Sequence, residues 1–206
     1  EAQTLRERVD ILKTKTDSKG KWSVTLPPMP PCGTGQTLAA VQNGDSAKLE
    51  DVLVGEVWLA SGQSNMLFRL NQTTTAKEDI AASGDDQLRL LNNVPQAHTN
   101  NAPYSAKDFD AVTTDNFYKG QWAASSPATS GPMTAVGYYF GKKLREGLGI
   151  PVGIIHSSLG GSEMAAWIPQ SVINSNGSLR SLRGNDWLQS PLVSAWVRGR
   201  ARQNIA

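Results

Sequence analysis

Sulfur and imidazole are scarce in this sequence, which has one cysteine, Cys32, and two histidines, His98 and His156, among 206 residues. A single cysteine excludes an intrachain disulfide and cannot build a thiolate zinc site. No cluster of His, Cys, Asp or Glu has the spacing of a metal centre, so neither a metal nor a cofactor is expected. Excess charge is also lacking. Twenty Lys and Arg against 18 Asp and Glu leave +2, too little to draw the chain onto nucleic acid or an anionic membrane. Arg198, Arg200 and Arg202 form the one basic concentration, and without an aromatic platform they read as a solvated face. No run approaches the roughly 18 consecutive apolar residues of a spanning helix. Glu1 to Asp10 is charged and has no signal-peptide core, and the chain does not start with Met, so any leader is read as absent.

What is present, 39% hydrophobic and 18% charged residues, describes a soluble globular protein of one or two domains. Alternation over Gly20 to Leu26 predicts a strand that halts at Pro27, Pro28, Pro30 and Pro31. Further strands are expected at Thr37 to Gln42 and Lys48 to Val54, so residues 1–53 read as part of an all-β unit with too few strands to bury both faces. The pattern changes after Gly55. Val57 to Ala60 is a continuous apolar run, the mark of a parallel strand covered on both faces, and Leu88 to Leu91 and Val152 to Ser157 read alike. Val136, Phe140, Leu144 and Leu148 recur every fourth residue and predict a helix with one buried stripe, N-capped by Thr134 and stopped by Gly149 and Pro151. Asn92 to Ala106 reads as a long surface loop.

Open α/β sheets bind ligands beyond the carboxyl ends of their strands. Two glycine-bearing loops lie there: Ser61-Gly62-Gln63-Ser64 after the first α/β strand, and Gly160-Gly161-Ser162 after the last. A serine on a tight strand-to-helix turn presents its hydroxyl to the crevice, and acyl transfer needs such a hydroxyl beside backbone N–H donors for the oxyanion. Either loop alone is more often an ordinary turn.

Together with their flanks the two loops resemble a specific family. Val54-Gly55-Glu56-Val57-Trp58-Leu59-Ala60-Ser61-Gly62-Gln63-Ser64-Asn65-Met66 is similar to the first sequence block of sialate O-acetylesterase-like carbohydrate esterases of the SGNH hydrolase superfamily. Ala135 to Gly141, Leu148 to Gly161, and Ala166-Trp167 continue the resemblance. Upstream, Gly20-Lys21-Trp22, Leu26 to Met29 and Asp51 to Val54 are similar to the end of the β-sandwich that accompanies the catalytic domain. The resemblance implies an α/β fold, a flavodoxin-like parallel sheet flanked by helices, with part of a β-sandwich before it. It divides the chain into residues 1–53, accessory, and 54–206, the N-terminal part of an esterase domain.

It also implies roles. Ser64 is the nucleophile, its N–H and one from Gly160 or Gly161 form the oxyanion hole, Gly62, Gln63 and Asn65 support the turn, and Trp167 lines the sugar cleft. The implied substrate is an acetylated carbohydrate, the enzyme is secreted or periplasmic, and neither nucleic acid nor membrane is a partner. This sequence has Ala60 where the family often has cysteine and Ala165 where it often has glutamate. The family's later Gln-Gly-Glu-Ser-like block and its terminal Asp and His have no counterpart after Trp167. The chain therefore reads as a fragment, weakly active or inactive by itself, whose incomplete sheet invites self-association. The alternatives are a non-catalytic carbohydrate-binding or scaffold protein, and an esterase that recruits His156, or a histidine from a partner chain, as its base. For His156 a hydrogen-bonded structural role is the simpler expectation, and His98 reads as solvated.

Overall fold

The structure, a computed structural model, describes residues 11–95, 118–162 and 167–180. His98, the basic residues Arg198, Arg200 and Arg202, Ala165, and most of the expected Asn92 to Ala106 loop lie outside the described residues. Two compact units are distinguished, residues 1–30 and 31–206.

In the first unit the Asp17 carboxylate accepts hydrogen bonds from the backbone N–H groups of Lys19 and Lys21, at 2.8 and 2.9 Å. Gly20, at φ +74°, completes that turn. The strand expected over Gly20 to Leu26 is not formed. A strand needs a ladder partner, and the described residues of this unit contain no strand for it to pair with.

The second unit begins with a hairpin of β1 (Cys32–Gln42) and β2 (Asp45–Val54). Asn43 and Gly44 both have positive φ, +52° and +93°. That is the turn chemistry whose twist matches paired antiparallel strands. β1 and β2 form a two-stranded sheet of their own, and Arg89 reaches Asp51 across 2.6 Å to tie it to the larger sheet.

The larger sheet contains β3 (Glu56–Gly62), β4 (Asp85–Asn92), β7 (Trp122–Ser125) and β8 (Val152–Ser158) in the order β3-β8-β4-β7. A further two-residue pair, β5 (Val94–Pro95) with β6 (Tyr118–Lys119), stands apart from it. β3, β8 and β4 run parallel, as their sequences imply. β7 is antiparallel to β4, so the sheet is mixed rather than wholly parallel. Between β3 and β4 lie α1 (Ser64–Leu67), a 3-10 turn at Leu70–Gln72 and α2 (Ala76–Ala81). α3 (Ala135–Leu148) precedes β8, and α4 (Gln170–Ser175) follows it.

α3 has the expected ends. The Thr134 hydroxyl accepts from the Gly137 N–H at 3.3 Å, and Gly149, at φ +67°, donates its N–H to the Arg145 carbonyl. Its buried face is not the expected one. Ala135, Gly137, Tyr138 and Gly141 are buried, whereas Val136, Phe140 and Leu148 are exposed and Leu144 only packs against the core edge. The reason is close approach. A Cβ on Gly141 would lie 2.6 Å from Ile154 Cγ1, and one on Gly137 3.0 Å from the Ala60 Cβ. Small residues thus let α3 press onto β3 and β8 around a core of Leu70, Leu88, Leu90, Met133, Tyr138, Val152 and Ile154. Phe140 meets Trp58 edge to face, ring centres 5.2 Å apart.

β3 also departs from expectation. Its apolar run is not covered on both faces, for Val57 and Leu59 are 60% and 64% exposed. Among the described residues β3 is an edge strand, and no element covers the face that these two side chains share.

Candidate active site

The parallel pairing of β3 with β8 holds register from Glu56↔Val152 to Gly62↔Ser158. Both strands therefore end together, and the loops leaving them start side by side. The Leu159 N–H donates to the Gly62 carbonyl at 3.0 Å, which locks the second loop to the first. Gly62 sits at φ +144°, a conformation open to glycine and strained for other residues. Gln63 is the N-cap and Ser64 the first residue of α1.

α1 is one turn long, held by Leu67 N–H to the Gln63 carbonyl and Phe68 N–H to the Ser64 carbonyl, at 2.9 and 3.0 Å. Its far side is fastened to the start of α3. Ala135 donates to the Phe68 carbonyl, Leu70 to the Met133 carbonyl, and Thr134 Oγ1 contacts Met66 Sδ at 3.3 Å. Gln63, Ser64 and Asn65 are exposed. Gln63 braces the turn through its carbonyl, since its side chain makes no capping hydrogen bond. Among the described residues no side chain hydrogen-bonds to that of Ser64 or Asn65.

The opposite wall is Leu159 to Ser162. Gly161 has φ +76°, and the Ser162 N–H closes the loop on the Leu159 carbonyl at 3.2 Å. A Cβ on Gly160 would lie 3.2 Å from Leu67 Cδ2, so this loop borders α1 directly. Trp167 donates its indole N–H to Ser162 Oγ at 2.8 Å and remains partly exposed. Ser64, Gly160, Gly161 and Trp167 are thus brought to one end of the sheet, although only Trp167 gains a side-chain hydrogen bond there.

His156 is 2% exposed, below this end on the third-last position of β8. Its Nδ1 lies 2.7 Å from Asn92 Oδ1 and its Nε2 2.6 Å from Ser158 Oγ. Burial holds its pKa below the ordinary 6.5, helped by the Arg69 cation, while the Met66 carbonyl pulls weakly the other way. Both ring nitrogens are engaged, so the ring has none to offer Ser64, and its structural role is the one realised. The sequence reading gave no role to Asn92, Ser158 or Ser162, and it placed Asn92 at the start of a loop, whereas Asn92 ends β4. Asn92 directly follows the Leu88 to Leu91 run, but it becomes a partner of His156 only because β8 lies between β3 and β4.

No family model matches the sequence. The chain is 31% identical over 174 residues to the sialate O-acetylesterase of Homo sapiens, covering 80% of this chain and 31% of that protein. With the sialate O-acetylesterase of Mus musculus it shares 27% over 183 residues, 85% of this chain and 32% of that one. The crystal structure of a carbohydrate acetylesterase from Xanthomonas citri superposes with a TM-score of 0.63 at 38% identity, covering 79% of this chain and 34% of that chain. The chain spans about a third of the length of the curated relatives it matches. In sequence the chain is thus similar to about a third of the length of the sialate O-acetylesterases, and in sequence and fold to about a third of a carbohydrate acetylesterase.

Proposed function

We propose that this chain supplies the serine-bearing part of an esterase that removes O-acetyl groups from carbohydrates, with Ser64 as the nucleophile. The observation that carries the reading is the bond from Leu159 N–H to the Gly62 carbonyl, which sets the Gly160-Gly161 loop beside the Ser64 turn. In the reaction Ser64 Oγ attacks the acetyl carbonyl carbon and its own proton goes to a base. The oxyanion is met by the Ser64 N–H and one from Gly160 or Gly161. Collapse expels the sugar oxygen, which takes up a proton, and water then hydrolyses the acetyl-serine. Trp167, tied to the same loop through Ser162, suits a sugar face. Residues 1–53 belong to an accessory β-sandwich and 54–206 to the esterase domain in this reading. The resemblance to carbohydrate esterases favours a secreted or periplasmic enzyme in this reading.

A serine without its base keeps only the catalysis that binding and the oxyanion hole provide, about 10³-fold over the uncatalysed rate. The 206-residue chain is expected to hydrolyse an aryl acetate barely faster than its Ser64→Ala variant, because that residual rate does not pass through the serine. Turnover far faster than that of Ser64→Ala would overturn the reading that the serine stands here without its base. One observation favours a second reading, a carbohydrate-binding protein without turnover: both nitrogens of His156 are committed elsewhere. Under it, acetylated sugars perturb the Trp167 fluorescence while no acetate is released.

Self-association is part of the proposal. Among the described residues β3 has no partner on its outer edge, with Val57 and Leu59 exposed on one face and Phe140 beside Trp58 on the other. Sedimentation velocity should show association that rises with concentration and weakens in a Leu59→Lys variant. A single monomeric species at all concentrations would sink the idea.

A further inference from the structure

The side chains of Asn92, His156 and Ser158 form a chain of hydrogen bonds across two strands, beneath the serine turn, buried at His156 and Ser158 and partly buried at Asn92. Its proton positions follow from chemistry. Asn92 Oδ1 is an amide carbonyl oxygen and only accepts, so Nδ1 of His156 carries a hydrogen. The Asn92 amide nitrogen, on its other side, faces the Pro132 carbonyl at 3.4 Å, which agrees with this orientation. In a neutral ring Nε2 is then a bare lone pair, and the Ser158 hydroxyl donates to it at 2.6 Å.

Ser158 is the last residue of β8, opposite Gly62, and the next residue, Leu159, makes the bond that clamps the two loops together. We propose that His156 is a positioning residue of the site: neutral and protonated on Nδ1, it pins Ser158 and with it the Gly160-Gly161 loop, and a second proton loosens that loop. The inference rests on reading Gly160-Gly161 as the oxyanion wall. An imidazolium has two N–H donors and no lone pair, so the bond from Ser158 must reverse or break, and the serine proton must find another acceptor. The ring faces Ala60 on β3, Asn92 on β4 and the Met66 carbonyl of α1. Among the described residues Arg69, after α1, is the charged group that bears on it, its cation opposing the second proton, and no carboxylate bonds the ring, because Asn92 and Ser158 occupy both nitrogens.

Nitrogen-15 NMR of the full chain tests this without turnover. Near neutral pH the His156 ring should show the signature of a protonated Nδ1 and a bare Nε2. On acidification the Gly160 and Gly161 amide signals should move with the midpoint of His156, while Gly44, at the hairpin tip, stays still. In a His156→Asn chain the two loop glycines should lose that pH response. In a Ser158→Ala chain their amide exchange should quicken about five- to tenfold, as expected for losing one neutral hydrogen bond. A ring protonated on Nε2, or loop glycines indifferent both to His156 titration and to Ser158→Ala, would overturn the proposal. The tautomer is read in the unaltered chain, so a variant that does not fold leaves the test decisive. A Ser64→Ala chain should give the same spectra of ring and loop, which keeps the failure of this inference separate from the failure of the esterase reading.

Discussion

Gly55→Ala is expected to destabilise the fold by about 3 kcal/mol, the upper end of the usual range for overpacking, because the neighbour cannot move. Gly55 joins β2 to β3 where the chain passes the start of β8, and Glu56 N–H donates to the Pro151 carbonyl at 3.0 Å. An added Cβ would overlap that carbonyl oxygen and sit 2.7 Å from its carbon and 2.8 Å from the proline Cβ. These are backbone and ring atoms, so no rotamer change relieves the contact. Relief would require β3 and β8 to separate at the end where their register begins, shifting both loops of the site. Urea unfolding of the two chains measures the effect. A loss under about 1 kcal/mol would mean that the strands part easily there and that their register is not held at Gly55.

Acid sensitivity is the second large effect. Burial and Arg69 hold the His156 pKa below 6.5 in the folded chain. The unfolded chain therefore binds more protons below that pH, and its population rises on acidification. The stabilisation from neutral His156 is complete above pH 6.5 and is lost as the pH falls toward the folded-state value. Its slope reaches at most about 1.4 kcal/mol per pH unit. Asp51, Asp79 and Glu146 have pKa values lowered by hydrogen bonds to Arg89, Thr75 and Lys143, and their contributions disappear at lower pH, within the carboxylate range. Urea midpoints taken between neutral and mildly acidic pH should fall for the chain and stay nearly level for His156→Asn. Parallel curves for the two chains would show that His156 is not the titrating group.

Much of the scaffold was legible before any coordinates. Val57 to Ala60, Leu88 to Leu91 and Val152 to Ser157 all lie within strands, and Thr134 and Gly149 do cap α3. These are local signals, since an apolar run, a hydroxyl N-cap and a left-handed glycine act within a few residues. The buried face of α3 was misread because a four-residue apolar spacing looks decisive. Gly137 and Gly141 win by allowing nearer approach to Ala60 and Ile154, a comparison that requires the neighbouring strands. Gly20 to Leu26 was misread because alternation promises a strand only where a partner exists.

The sequence by itself determined the local frame of the proposed site: a serine two residues after Gly62, a paired-glycine loop and their flanks belong to local backbone geometry. Only the tertiary structure decided what surrounds them. Strand order puts Asn92 on one nitrogen of His156, whose other nitrogen meets Ser158 two residues along the same strand, and among the described residues the same order leaves β3 at an edge with Val57 and Leu59 exposed. Hydrogen-bond partners 64 residues apart and the cover over an apolar face are relations between segments, set by packing, and no single stretch of sequence contains them.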